Sequence, residues 1–286
     1  MKSSLQGWGS GLLGVVIFSG SLPATRVAVV DFTPLFLTSA RAAIAALLAA
    51  TCLAVLGQPR PRPADLLSLA IVAIGVVIGF PLLTALALEH ITSARSIVFI
   101  GLLPLATATF AVLRGGENPR PAFWLFSGLG SAIVIVFAIS GGGAGSLIGD
   151  CYMVAAIIVC GLGYAEGAKL SRRLGGWQVI CWALVLSAPL MAALALANLP
   201  LSWHAIGSAA WLSLAYVSVF SMLVGFVFWY RGLALGGIAG VGQLQLLQPF
   251  FGLTLAGLVL GEPIAASMLA ATAIIVVCVA LARRFA

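Results

Sequence analysis

Ten stretches of mostly apolar residues, separated by short polar or Gly- and Pro-rich breaks, run the length of the chain. A helix needs about 20 residues to cross a hydrocarbon core. The pattern therefore predicts ten spanning helices, over 9–29, 33–56, 65–88, 92–113, 121–140, 147–169, 177–198, 207–230, 240–260 and 264–283. Runs such as Ala43–Leu56 and Ile133–Ile139 are continuous, not alternating, which argues against a barrel of ten-residue two-faced strands. The N-terminal run reads as the first span and not as a cleavable leader. It contains Pro23 and Arg26, lacks a clean small-x-small site, and is followed by nine more spans.

Composition agrees. Hydrophobic residues make up 62% and charged residues 7% of 286, with a mean hydropathy of +1.20. An ordinary soluble domain carries roughly 25% charge. The fold class is all-α integral membrane, and ten spans leave no room for a soluble catalytic or receptor domain.

The net charge of +7 is a matter of topology. With the N-terminus inside, Lys2, Arg60, Arg62, Arg114, Arg120, Lys169, Arg172, Arg173, Arg231, Arg283 and Arg284 all fall on the inner side, which is 11 of the 14 basic residues. The outer loops hold none, so both termini are expected in the cytoplasm. Nucleic acid is not an expected partner. The expected partners are a small-molecule substrate and the bilayer, and a monomer would suffice.

The chain also repeats itself. "PLATATFAVLRGGE" (Pro104–Glu117) and "PFFGLTLAGLVLGE" (Pro249–Glu262) align Pro104 with Pro249, Gly116 with Gly261 and Glu117 with Glu262. The expected units are a first five-helix repeat over 1–140, a linker over 141–146 and a second repeat over 147–286. Five is odd, so the second half enters from the opposite side. Two inverted halves give two conformations of similar energy, each open to one side, around a site near the midplane.

Further motifs carry a resemblance. The first span reads "FSGSLPATRVA" (Phe18–Ala28), the second "TPLFLTSARAAIAA" (Thr33–Ala46) with Pro34 and Arg41. The eighth reads "VFSMLVGFVFWYRGLALGG" (Val219–Gly237), followed by Gln248-Pro249 and Gly261-Glu262. In order and spacing the chain resembles the drug/metabolite transporter superfamily in its ten-helix EamA form, with Phe18-Ser19 where Trp-Gly is common. More narrowly it is similar to bacterial amino-acid exporters, including exporters of aromatic amino acids. The resemblance implies a cell inner membrane, export of small metabolites by alternating access, no cofactor, and a cavity built from spans 1, 3, 4, 6, 8 and 9. It carries Phe80, Phe99, Tyr164, Tyr216 and Phe220 over as cavity candidates.

The polar residues add to this list. Gln245 and Gln248 lie three apart on one apolar helix, where amides should avoid lipid and suit a zwitterion. Interhelical hydrogen bonding accounts for them equally well. Charges inside a membrane are functional candidates by default. Arg26, Arg41 and Glu166 are therefore gating or coupling candidates, although Glu166 could simply pair with Lys169 three residues on. Pro23, Pro81, Pro104 and Pro249 are hinge candidates, and a bend is also expected at Pro189. Pairs of glycines four apart (Gly75/Gly79, Gly163/Gly167, Gly236/Gly240, Gly257/Gly261) suggest close helix packing. There is no Ser-His-Asp set, HExxH or Walker loop, and His90, His204 and the five cysteines form no metal-type cluster. An enzyme is not expected. A carrier of the same fold for drugs, nucleobases or cations is the main alternative. A membrane-embedded enzyme or a channel is the remote one.

Overall fold

The computed structural model describes residues 2–115, 120–139, 146–236, 241–283 and 285. Among them there is no strand. Ten helical segments coincide with the ten predicted spans: α1 (Gln6–Ala28), α2 (Pro34–Val55), α3 (Pro63–His90), α4 (Ser93–Arg114), α5 (Pro121–Ile139), α6 (Leu147–Leu174), α7 (Gly176–Ala197), α8 (Ser208–Leu235), α9 (Leu244–Leu260) and α10 (Ala266–Arg283). Helices α1 to α4 and α6 to α8 are each long and apolar enough to cross a membrane, and α5, α9 and α10 are shorter.

Short polar residues start the helices. The hydroxyls of Thr33, Thr92 and Ser146 accept hydrogen bonds from the backbone N–H three residues on, as N-caps do. Pro34 and Pro63 occupy first-turn positions where a missing N–H costs nothing. Gly261 ends α9 with φ 63°, a left-handed geometry favouring glycine. The turn directs Glu262 to the start of α4. There its carboxylate accepts from Ser93 N (3.1 Å), Ala94 N (2.7 Å) and Ser93 Oγ (2.8 Å). Thr92 takes Arg95 N at 3.2 Å, so the first three N–H groups of α4 are all satisfied.

Five helices are irregular, and the four hinge candidates sit at the irregularities. α1 breaks at Gly20, just before Pro23. In α3 a π-helical segment, Ala73–Gly79, is followed at once by Phe80-Pro81. α4 breaks between Ile100 and Leu103, before Pro104. A 3₁₀ segment, Gly242–Leu247, leads into Gln248-Pro249. A second π segment, Val217–Val224, lies in α8. Pro189 lies inside α7, which runs as one helix.

These irregularities recur. Pro104 and Pro249 are 145 residues apart, and 73–79 shifted by 145 gives 218–224, which falls on the second π segment. The packing recurs as well. Moving every helix five places along maps the α1–α8 contact onto α6–α3, while α2–α7, α4–α9 and α5–α10 map onto themselves. Glu117, the counterpart of Glu262, lies outside the described residues, as does Gly240.

Glycines permit close helix crossings. Where α3 meets α6, a Cβ on Gly75 would lie 2.6 Å from Val159 O and 2.9 Å from Gly163 Cα. Where α1 meets α8, a Cβ on Gly232 would lie 2.7 Å from Gly11 N. Backbone cannot yield as a flexible side chain can. Gly75→Val should therefore lower stability by about 1–3 kcal/mol. The check is the thermal midpoint of the purified protein, with Gly9→Ala, where nothing lies within 4 Å, holding or raising it. The Gly163/Gly167 pair also packs closely, since the Tyr230 hydroxyl fills the space over Gly167. Gly257 meets only Ile264, at 3.3 Å.

Candidate functional site

The break in α1 organises the site. Ala24 N bonds Gly20 O, which starts a new helical turn. A Cβ at Gly20 would lie 2.5 Å from the Tyr216 hydroxyl, so glycine there lets Tyr216 of α8 reach α1. That hydroxyl donates to Ile17 O at 2.6 Å. One residue past the break, Ser21 Oγ lies 2.7 Å from Ser221 Oγ in the π segment of α8. Arg41 of α2 donates from Nη2 to the same Ser221 Oγ at 3.2 Å. Three helices thus meet in a buried polar junction.

Beside the junction is an aromatic set. Phe18 stands edge-on to Phe226 (centroids 4.9 Å, 62°) and to Trp229 (6.4 Å, 71°). Tyr164 of α6 lies 5.9 Å from Phe226 and 5.8 Å from Trp229. These spacings are those of favourable edge and tilted pairs. Trp229 is 1% exposed, and its indole N–H has no hydrogen-bond partner among the described residues.

α9 packs along α1, and Val241 and Leu244 cover Gly11. Gln245 is 1% exposed, and neither its Nε2 nor its Oε1 has a partner among the described residues. Gln248 is 8% exposed with Oε1 unpartnered. Residues three apart eclipse in a 3₁₀ turn, so the segment that precedes Gln248 brings the two amides into line. A buried polar group without a partner forfeits about 1–3 kcal/mol, so several around one helix call for a specific explanation.

The other sequence candidates divide. Tyr164 joins the aromatic set. Tyr216 stacks on Phe220 at 5.7 Å, the shared face their spacing implies, but Phe220 is 49% exposed. Phe99 is buried in the main core. Phe80 is half-buried against that core, directly after the π segment. Arg26 is half-buried, and its Nη1 donates to Leu88 O of α3.

Glu166 is 2% exposed but does not pair with Lys169, which is exposed. It accepts from Ser68 Oγ of α3 at 2.6 Å and from Arg114 of α4, Nε at 3.2 Å and Nη2 at 3.1 Å. Tertiary packing offered a fork-shaped donor, which outcompetes a local lysine free to stay in water. Nearby in the fold, Arg173 of α6 pairs with buried Asp65 of α3.

Two features had weak sequence signals. Arg95 and Asp150 form a bidentate pair, Nε–Oδ1 2.8 Å and Nη2–Oδ2 2.6 Å, with side chains 1% and 7% exposed. Each sits in the first turn of its apolar helix, where a charge passes for a loop residue. The serines Ser21 and Ser221 look like ordinary small residues until the helix break and the π segment bring them together.

The family model described as the EamA-like transporter family matches the chain twice, over residues 6–139 and 147–284. An "Uncharacterized transporter YdeK" of Bacillus subtilis (strain 168) is 66% identical over 286 residues, all of both chains. A "Probable terminal-alkyne amino-acid exporter" of Streptantibioticus cattleyicolor is 26% identical over 265 residues, 92% of this chain and 88% of that one. A protein of known crystal structure shares the fold at TM-score 0.67 and 21% identity, over 100% of this chain and 99% of its own. Nearly the whole length is covered by the two family matches, and the chain belongs to the EamA-like transporter family.

Proposed function

We propose that the protein is a secondary transporter that exports small metabolites, chiefly neutral and aromatic amino acids, by alternating access. The observation that carries this reading is the set of buried groups around α1 without a partner among the described residues: both amide atoms of Gln245, Oε1 of Gln248 and the indole N–H of Trp229. Beside an aromatic surround they offer donors and acceptors to a zwitterion with an apolar side chain. They would find their partners in the substrate.

The recurring π segments and helix pairings support two inverted repeats, 1–140 and 147–286, joined by a linker over 141–146. Breaks at Gly20 and beside Pro81, Pro104 and Pro249 give the halves places to bend. The basic loops support a cell inner membrane placement with both termini cytoplasmic. The relative named as an amino-acid exporter supports the substrate class. A cationic cargo would want a free buried acid. Among the described residues the buried carboxylates Asp65, Asp150 and Glu166 are all engaged by arginine.

The test is counterflow in proteoliposomes with labelled amino acids, nucleobases and cationic dyes. Stimulated uptake of threonine, methionine or aromatic amino acids is the expected result. A response confined to lipophilic cations would replace this reading with drug efflux, and non-saturating flux without counterflow would indicate a channel.

A further inference from the structure

We infer that Arg41, with Thr38, Ser21 and Ser221, forms an anion site that takes the carboxylate of the transported solute. The inference rests on the transporter reading and names the chemical group held at one part of its substrate site.

The argument starts from charge. Arg41 is 5% exposed in the middle of an apolar helix, and its guanidinium stays protonated at neutral pH. Every other buried charge among the described residues has an opposite partner or, for Arg26 at the edge, a carbonyl. Arg41 has no carboxylate within salt-bridge distance among the described residues. Of its five N–H donors one reaches Ser221 Oγ, and Nε has no partner. A cation placed in hydrocarbon without an anion is a standing cost, and a cost borne at one point is a common mark of a ligand site.

The neighbours fit the same ligand. Thr38 lies one turn before Arg41 on the same face of α2, is 2% exposed, and its Oγ1 has no partner. Ser21 and Ser221 supply hydroxyls at 9% and 4% exposure. Their mutual bond can rotate, since either can donate. A single planar fork flanked by hydroxyls matches a planar monoanion, the carboxylate. The site also joins the piece of α1 beyond its break to the π segment of α8. An anion there would tie together two of the five helices that the fold leaves irregular.

Three ligands that differ only in charged groups test this on the full-length protein in detergent: phenylalanine, phenethylamine without the carboxylate, and 3-phenylpropionate without the amine. Equilibrium binding to the wild-type protein should favour both carboxylates over phenethylamine by about thirtyfold or more, the effect of leaving a buried charge unpaired. Arg41→Gln should erase that preference, by weakening both carboxylates, and Arg41→Lys should restore part of it. Equal binding of phenethylamine and phenylalanine by the wild-type protein overturns the site without any variant having to fold. So does an Arg41→Gln protein that keeps its carboxylate preference, or a wild-type protein that binds neither carboxylate. Counterflow of amino acids with indifference to the carboxylate removes this site and leaves the exporter. Binding of 3-phenylpropionate with no amino-acid counterflow keeps this site and removes the amino-acid substrate.

Discussion

Asp150→Ala should destabilise the protein by up to about 3–5 kcal/mol, because it takes one member out of a buried bidentate ion pair. Arg95 is 0% and Asp150 5% exposed, so water cannot step in. Both Arg95 bonds run to separate carboxylate oxygens, the geometry that fixes orientation as well as charge. The pair joins the first turn of α4 to the first turn of α6, beside the Glu262 carboxylate that caps α4. Losing it should loosen three helices together. The measurement is the thermal midpoint and the monodisperse fraction of purified protein. The mechanism makes a second, sharper claim. Replacing both members with apolar residues, Arg95→Met with Asp150→Leu, should recover part of the loss, since the buried cation then goes together with its Asp150 anion. A double variant no better than Asp150→Ala would show that the loss came from packing and not from the broken ion pair.

The contrast with Glu166 shows where sequence reasoning stops. Ten apolar runs and their prolines announce ten helices and four of the places where helices break, because both signals are local. The π segment in α3 precedes Pro81, but the one in α8 has no proline beside it. It comes with packing, where Gly225 sits against Phe18 and Ile17 of α1. Ion-pair partners are less legible still. Glu166 and Arg114 are 52 residues apart, Arg95 and Asp150 are 55, and Asp65 and Arg173 are 108. Lys169 was the natural guess for Glu166 at helical spacing, and only the fold reveals the arginine. Of the aromatic candidates, Tyr164 is the one that packs into the aromatic set. Its companions Phe18, Phe226 and Trp229 were visible only as family motif letters or span residues. Nothing in the letters separates a phenylalanine facing outward, Phe220, from one in the core, Phe99.

Gln245→Leu and Gln248→Leu should each lower the rate of amino-acid counterflow about tenfold, the effect of one lost hydrogen bond of roughly 1–1.5 kcal/mol at a buried position. The double variant should approach a hundredfold if the two amides act on separate groups of the substrate. Stability should move the other way. Gln245 holds two buried polar atoms with no partner, and Gln248 one, so a leucine of similar bulk relieves a desolvation cost. The thermal midpoint of the unliganded protein should stay level or rise. A glutamine serving only as glue between helices predicts the opposite pairing, a lower midpoint with transport falling in proportion to the folded fraction. Measured on one preparation, the two signs separate a substrate contact from a structural one. Opposite signs are expected because an amide kept buried and unbonded in the resting protein gains its hydrogen bonds only when the solute arrives.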